Sequence, residues 1–438
     1  MPATEPQRPP IRVGLLGCGN VGLALYELLA DPSQADALEA RTGWRFEVVA
    51  IAVSSLRRRR SSASWFNPSV LTTNPLAVAT RDDVDVVVEL MGGIEGTAEV
   101  VAAALRAGKP VVTANKALLA ARGQQLATLA ARHGVALRAE ASVAGAIPIL
   151  RVLEDSLAGE HVERVMGIVN GTTNFILSKM DAEGRDYAEV LAEAQQLGLA
   201  ERDPSADVDG HDAAAKAAIL ATLAFGTRVT SREVHVEGIT AVRSADVAFA
   251  RQLGFAVKLL AICERVGAEG ISVRVHPAMV PLEHPLAAVD GAFNAVFVEG
   301  ASCGELMLYG RGAGGRPTAS AVLGDLLDVA RNPSGRGEAL PTAPLHRVKL
   351  GDLHAAFYLS IDVADEPGVL AAVATVFGRH GVSIRSMEQV GLGAEARLVF
   401  LTHTAEESAM AATLRDLRRL RSVDRVGALL RVIGPEAS

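Results

Sequence analysis

The stretch "IRVGLLGCGNVGLALYELLAD", residues 11–31, decides how the chain begins to fold. Ile11 to Leu16 is a short apolar run bounded by glycine, the mark of a buried strand. Gly17-x-Gly19-x-x-Gly22 follows at once, and an apolar pattern at helical spacing starts there. In strand–turn–helix order the three glycines have separate physical uses. Gly17 permits the tight turn, Gly19 lets a pyrophosphate approach the backbone, and Gly22 lets helix and strand pack closely. The turn, with Asn20 and Val21 in it, places a helix N-terminus against the phosphates. The alternative is a glycine-rich turn of some other α/β protein. The strand before and the helix after favour a dinucleotide site.

Moving outward, "FEVVAIAVSS" at 46–55 reads as the second strand. NAD sites usually place an acid near its end to hold the ribose hydroxyls. Here the end is Ser54-Ser55-Leu56, then four arginines from Arg57 to Arg60. An acid-free, basic end suits a 2′-phosphate, so NADP(H) is favoured and NAD(H) stays open. Arg57, nearest the strand, is the candidate partner; a solvated charge run accounts for the other three. "VDVVVELMGG" at 84–93 and "KPVVTANKALLA" at 109–120 read as further buried strands, the second passing into a helix at Lys116. Ligands of such sheets bind beyond the carboxyl ends of the strands. Met91, Gly92 and Lys116 are therefore cofactor-side candidates.

A second stretch, "VDGHDAAAKAAIL" at 208–220, raises a chemical question. Asp207, Asp209 and Asp212 crowd the start of a helix that is apolar on nearly every side except at Lys216. Acids near a helix N-terminus complement its dipole, and an i,i+4 acid–base pair adds a few tenths of a kcal/mol. That reading leaves a lysine on a buried helix, and a buried ammonium is costly unless paired or used. A calcium loop fails because its twelfth position would be Lys216, where a bidentate carboxylate is required. The third option is a catalytic lysine oriented by an aspartate, and the choice turns on the rest of the chain.

Past residue 135 the pattern changes. "GVALRAEASVAGAIPIL" gives a strand and a Gly/Ala-rich loop; "VERVMGIVNGTTNFIL" gives a strand ending in a polar loop, Asn170 to Asn174. "ISVRVHPAMV" and "NAVFVEG" read as strands, and "GRGAGGRPTASAVLGDLLDVA" at 310–330 as a second glycine-rich turn entering a helix. From residue 354 the order is strand, helix, strand, strand, helix, strand, which is ferredoxin-like.

The 438 residues suggest about three domains, and 49% hydrophobic with 21% charged residues excludes global disorder. A net charge of −7 with one dense basic cluster points to neither nucleic acid nor a membrane surface. Cys18, Cys263 and Cys303 have no metal or disulfide spacing, which fits a reducing cytoplasm. No apolar run approaches a membrane span, and "MPATEPQRPP" lacks the apolar core of a signal peptide.

The motifs "GCGNVG", "ELMGG", "TANKALLA", "EASVAGAIPIL", "NGTTNFIL", "AERDPSADVDGHDAAAKAAIL" and "GRGAGGRPTASAV", in this order over roughly residues 11–330, resemble the homoserine dehydrogenase family. The segment from 354, with Asp365-x-Pro367-Gly368-Val-Leu opening its first helix, resembles an ACT domain. The resemblance implies reversible NAD(P)H-dependent reduction of L-aspartate 4-semialdehyde to L-homoserine, in a homodimer or tetramer. It implies Lys216 as proton donor and acceptor, Lys116 as a second active-site lysine, and Glu201, Asp207, Asp212 and Thr173 around the substrate. It also implies Gly198 and Gly314 near the cofactor. Glu140, Val143, Gly145 and Ile147 would form a site for a monovalent cation (Na+ or K+), built largely from backbone carbonyls. Threonine is the expected effector of the ACT domain.

The chemistry fits these residue types. Hydride addition to an aldehyde develops negative charge on oxygen, which an ammonium both stabilises and protonates. The substrate's α-ammonium calls for carboxylates. The expected organisation is a tail at 1–10, a Rossmann-type dinucleotide-binding domain at 11–135 completed by 310–330, an α+β substrate and dimerisation domain at 136–309, a linker at 331–349 and the ACT domain at 350–438. All catalytic motifs end by about residue 330, so truncation near Arg347 is expected to leave an active enzyme. Two rivals remain. One is aspartate-semialdehyde dehydrogenase or another amino-acid oxidoreductase; the semialdehyde enzyme needs a nucleophilic cysteine, and none of the three has an evident activating base. A non-catalytic amino-acid sensor leaves both lysines and the acidic loop unexplained.

Overall fold

The computed structural model describes residues 8–57, 66–335, 345–391 and 396–434. Arg58 to Arg60, residues 1–7 of the expected tail and 336–344 of the expected linker lie outside the described residues. The described chain forms two compact units. The first takes residues up to Glu160, Ala218–Ser231 and the stretch from Leu308 to 335; the second takes His161–Ala217, Arg232–Met307 and the residues from 345 onward. These limits differ from the expected ones. Residues 136–160 and 218–231 join the nucleotide-binding unit, and the C-terminal module shares a unit with the substrate domain.

The first unit is a parallel sheet with strands in the order Leu71–Thr72, Phe46–Ala52, Ile11–Leu16, Val86–Glu89, Val111–Thr113, Leu137–Arg138. Strand order reverses between Ile11–Leu16 and Val86–Glu89, and a crevice for a ligand opens at such a point. Two of the strands are shorter at their ends than the sequence suggested. Phe46–Ala52 stops before Ser54, and Val86–Glu89 stops before Met91. The helices Asn20–Ala30 and Gly315–Arg331 pack together over this sheet, sharing a core with Leu25, Leu29, Val322 and Leu326.

In the second unit one sheet runs Phe293–Gly300, Val162–Ile168, Phe255–Val266, Gly270–Pro281, Val423–Val432, His354–Val363, Arg397–Thr402, Ile384–Val390. The last four strands, with the helices Val369–Arg379 and Glu407–Leu417, make the ferredoxin-like module. Its strand Val423–Val432 pairs in parallel with Gly270–Pro281 through Ala278 opposite Arg431 and Met279 opposite Val432. Part of the expected linker is also a strand: His346–Arg347 pairs with Gly270 and Ile271.

The strand "HAAFYLSIDV" shows why the module is not free-standing. Phe357, Leu359 and Ile361 face the module's own core, with Val373, Phe377 and Phe400. Successive side chains on a strand point to opposite faces, so Tyr358 and Asp362 face the other way. There Tyr358 donates to Asp246 Oδ1 at 2.8 Å, and Arg243 donates to Asp362 Oδ2 at 2.8 Å. Asp246 and Arg243 begin the helix Ser244–Gln252, which the sequence reading did not identify. No helix among the described residues is long and apolar enough to cross a membrane.

Candidate active site

In the first unit the glycines behave as their positions demand. Gly17 has φ +100, and a Cβ there would lie 2.6 Å from the Leu90 carbonyl oxygen. Leu90 follows the strand across the switch point, so the backbone is pinched where the turn begins. A Cβ on Gly22 would sit 2.3 Å from the Gly17 oxygen, whereas one on Gly19 would meet nothing within 4 Å. Gly19, the N-cap of Asn20–Ala30, thus faces open space as a phosphate site requires. Asn20 is exposed and Val21 half-buried. Gly314, at φ +119, caps Gly315–Arg331, and a Cβ on Gly315 would lie 3.0 Å from the Asn20 oxygen. The second glycine turn is therefore packed against the first.

The loop after Val86–Glu89 carries Met91, exposed, and Gly92, at φ +78. Its organiser is Glu89, which the sequence reading missed. This fully buried carboxylate accepts from the N–H groups of Met91 (2.7 Å) and Gly92 (3.2 Å) and from the Thr113 hydroxyl (2.6 Å). An acid closing an apolar strand run was the available signal. Lys116 is half-buried at the first position of the helix Lys116–Arg132, where Asn115 caps by accepting from Leu118 N–H at 3.0 Å. Arg57 lies exposed beyond the second strand.

The loop at 140–147 is also in this unit. The Glu140 carboxylate accepts from Leu150 N–H at 2.8 Å and Arg151 N–H at 2.9 Å. Its own N–H donates to Asp325 at 2.8 Å, and Arg151 donates to the other Asp325 oxygen at 2.9 Å. Burial pushes Glu140 up and Asp325 up to about 7. The carboxylate is thus spent on capping the segment from Ile149, so a cation would receive only the Glu140 carbonyl. Val143 and Ile147 are buried, and Ala144 and Gly145 have φ of 54° and 58°. A Cβ on Gly145 would lie 2.5 Å from the Gly312 carbonyl.

The second unit holds Lys216. The helix His211–Phe225 starts after Gly210, at φ +87, and carries Asp212 in its first turn. One helical turn separates residues i and i+4, and Lys216 Nζ donates to Asp212 Oδ2 at 2.7 Å. Nζ also donates to the Val169 carbonyl at 2.6 Å, and Lys216 is only 8% exposed. The same Asp212 oxygen accepts from Asn170 Nδ2 at 2.9 Å, and Nδ2 donates to Asp207 Oδ1 at 2.7 Å. Asn170 therefore ties both carboxylates together.

The expected polar loop from Asn170 to Asn174 is instead a helix start. Gly171–Glu183 is helical and Asn170 is its N-cap, accepting from Thr173 N–H at 2.9 Å. Thr173 is buried, with its hydroxyl turned to the Asn170 carbonyl at 3.1 Å. An Asn before a helical pattern was the missed signal. Glu201 is exposed in the preceding loop, outside the hydrogen-bonded cluster, and Gly198 is exposed at φ +71.

A parallel sheet with a glycine-rich switch point in one unit, and a buried lysine held by an aspartate in the other, fit a nucleotide-dependent oxidoreductase. Residues 17–140 match the family model for the homoserine dehydrogenase NAD-binding domain, 148–327 that for homoserine dehydrogenase, and 357–422 that for the ACT domain. The homoserine dehydrogenase of Corynebacterium glutamicum is 48% identical over 98% of this chain and 98% of that one. The Mycobacterium tuberculosis enzyme is 48% identical over 99% of each chain. The crystal structure of a homoserine dehydrogenase from Thiobacillus denitrificans superposes with a TM-score of 0.88 at 37% identity, over 97% of this chain and 98% of that one. A hyperthermophilic archaeal homoserine dehydrogenase in complex with NADPH matches at 29% identity and a TM-score of 0.62, over 74% of this chain and 98% of that one. The chain belongs to the homoserine dehydrogenase family and is an oxidoreductase.

Proposed function

We propose that the enzyme reduces L-aspartate 4-semialdehyde to L-homoserine with NADPH, reversibly, on the route to threonine, methionine and isoleucine. The buried Lys216–Asp212 pair carries this reading. Gly17, Gly19, Asn20, Val21, Gly22, Met91, Gly92, Gly198 and Gly314 are the proposed cofactor residues, and the bound dinucleotide supplies a hydride. Lys216 stabilises the developing alkoxide and gives it a proton; in the reverse direction it takes that proton back. Asp212 holds the lysine in place. Asp207, Asp212 and Glu201 offer carboxylates to the α-ammonium, with Thr173 supporting them and Lys116 as the second lysine. Glu140, Val143, Gly145 and Ile147 would hold a Na+ or K+ ion through carbonyls. The enzyme is proposed to be cytoplasmic and a homodimer or tetramer. The deciding assay is NADPH oxidation with aspartate semialdehyde, which a non-catalytic amino-acid sensor would not show.

NADPH is favoured over NADH by the acid-free strand end and Arg57, and the archaeal relative binds NADPH. A guanidinium–phosphate pair makes charge-assisted hydrogen bonds that NADH cannot make. Arg57→Ala is expected to raise KM for NADPH while KM for NADH barely moves. Equal use of both cofactors by the wild type would sink this assignment.

Threonine is the proposed effector of the C-terminal module. Gly368, at φ +91, caps the helix Val369–Arg379, and a Cβ there would meet nothing within 4 Å. A helix N-terminus suits an amino acid's carboxylate. Gly368→Asp puts a like charge there, and the inhibition curve should move to at least about ten-fold higher threonine, a coupling change of about 1.4 kcal/mol. A wild type indifferent to threonine assigns the module to assembly alone.

A further inference from the structure

Arg431 stands at the end of Val423–Val432, where the module's last strand meets the substrate-domain strand Gly270–Pro281. It is 4% exposed. Nε and Nη2 donate to the two oxygens of Glu407, within the module, at 2.7 and 2.9 Å. The other side of the fork grips Glu237 of the substrate domain: Nη2 donates to Oε1 at 2.8 Å and Nη1 to Oε2. Burial pushes Glu237 up, but hydrogen bonds from His235 and Arg431 hold it well below the usual carboxylate range. A planar guanidinium bidentate to two carboxylates fixes direction as well as distance.

Glu237 is joined to the substrate loop through its own backbone. Its N–H donates to the Val275 carbonyl at 2.8 Å, locking residue 237 to the sheet. Two residues on, Ile239 N–H donates to the Val208 carbonyl at 2.8 Å. Between them, a Cβ on Gly238 would lie 2.3 Å from the Val208 oxygen and 2.6 Å from Asp209 Cα. From the other direction, a Cβ on Gly210 would lie 3.0 Å from a Val236 methyl. Segment 236–239 and segment 208–210 are thus in backbone contact, and the second leads directly from Asp207 to Asp212.

We propose that Arg431 is a positioning residue for the reaction: through Glu237 it sets segment 236–239, and with it the loop that carries Asp207 and Asp212. The C-terminal module thereby reaches the substrate carboxylates by one ion-pair fork and one backbone contact. This rests on the reading of Asp207, Asp212 and Lys216 as the substrate site.

The test compares three variants of the full-length enzyme. Glu237→Gln keeps the shape of a partly exposed side chain and removes its charge. It should raise KM for homoserine roughly five-fold or more, with kcat and KM for NADP+ little changed. Arg431→Lys, which keeps the charge but loses the fork, should do the same. Tyr358→Phe cuts a different tie between module and substrate domain, the one to Asp246, and should lower Tm without moving KM for homoserine. Wild-type KM in folded Glu237→Gln and Arg431→Lys overturns the proposal. So does an equal rise in KM for Tyr358→Phe, which would assign the effect to loosened docking in general. Lys216→Ala, assayed alongside, separates the two layers: full activity there removes the substrate site itself, whereas an inactive Lys216→Ala beside an unaltered Glu237→Gln removes only the Arg431 route.

Discussion

Lys216→Ala is expected to lower kcat for homoserine oxidation by about 10²–10⁴-fold, the usual worth of a positioned acid–base group. The lysine is held on two sides, by Asp212 at 2.7 Å and the Val169 carbonyl at 2.6 Å. In the proposed mechanism this fixed ammonium is the group that gives and takes the proton. Lys216→Arg sharpens the result. Arginine keeps the positive charge but does not release its proton at working pH, so it should also be slow. Removing one member of a buried ion pair costs about 3–5 kcal/mol. Thermal unfolding and NADPH titration must therefore accompany the kinetics. A folded Lys216→Ala that binds NADPH and keeps wild-type kcat removes Lys216 from the mechanism.

Truncation near Arg347 is expected to give a poorly folded or aggregating chain. This reverses the expectation drawn from motif positions alone. All recognisable catalytic motifs end by residue 330, but the module beyond them completes the substrate domain. Val423–Val432 lies beside Gly270–Pro281, and Ile433 packs against the cluster of Met166, Leu260, Ala278 and Phe297. Tyr358 is 1% exposed and covers the helix Ser244–Gln252, its ring 5.9 Å from that of Phe249. Uncovering a large apolar side chain costs about 1.5–3 kcal/mol. Several such losses consume much of a typical stability of about 5–15 kcal/mol. Size-exclusion chromatography, thermal unfolding and homoserine oxidation check this. A monodisperse truncated enzyme with wild-type Tm and kcat/KM would refute the dependence and restore the modular view.

How much could be read beforehand divides along sequence separation. The nucleotide turn was legible because its constraints are local: Gly17 must adopt φ +100, and Gly22 must abut the Gly17 carbonyl five residues earlier. The Asp212–Lys216 pair was legible because a helix brings i and i+4 together whatever surrounds it. The βαββαβ order of the C-terminal module was legible from alternating strand and helix patterns. Asn170, 42 residues from Asp212, reads in the sequence as part of a loop, whereas in the fold it caps a helix and joins two carboxylates. Glu140 and Asp325 are 185 residues apart, and Arg431 and Glu237 are 194 apart. Pattern and spacing fix what a residue does to its own turn of chain. Which distant surfaces meet, and so which buried charges find partners, depends on how sheets and helices pack. The sequence by itself determined the dinucleotide turn, the lysine and its aspartate; only the tertiary structure decided that Asn170 gathers the site's acids and that the last strand of the chain is built into the substrate domain's sheet.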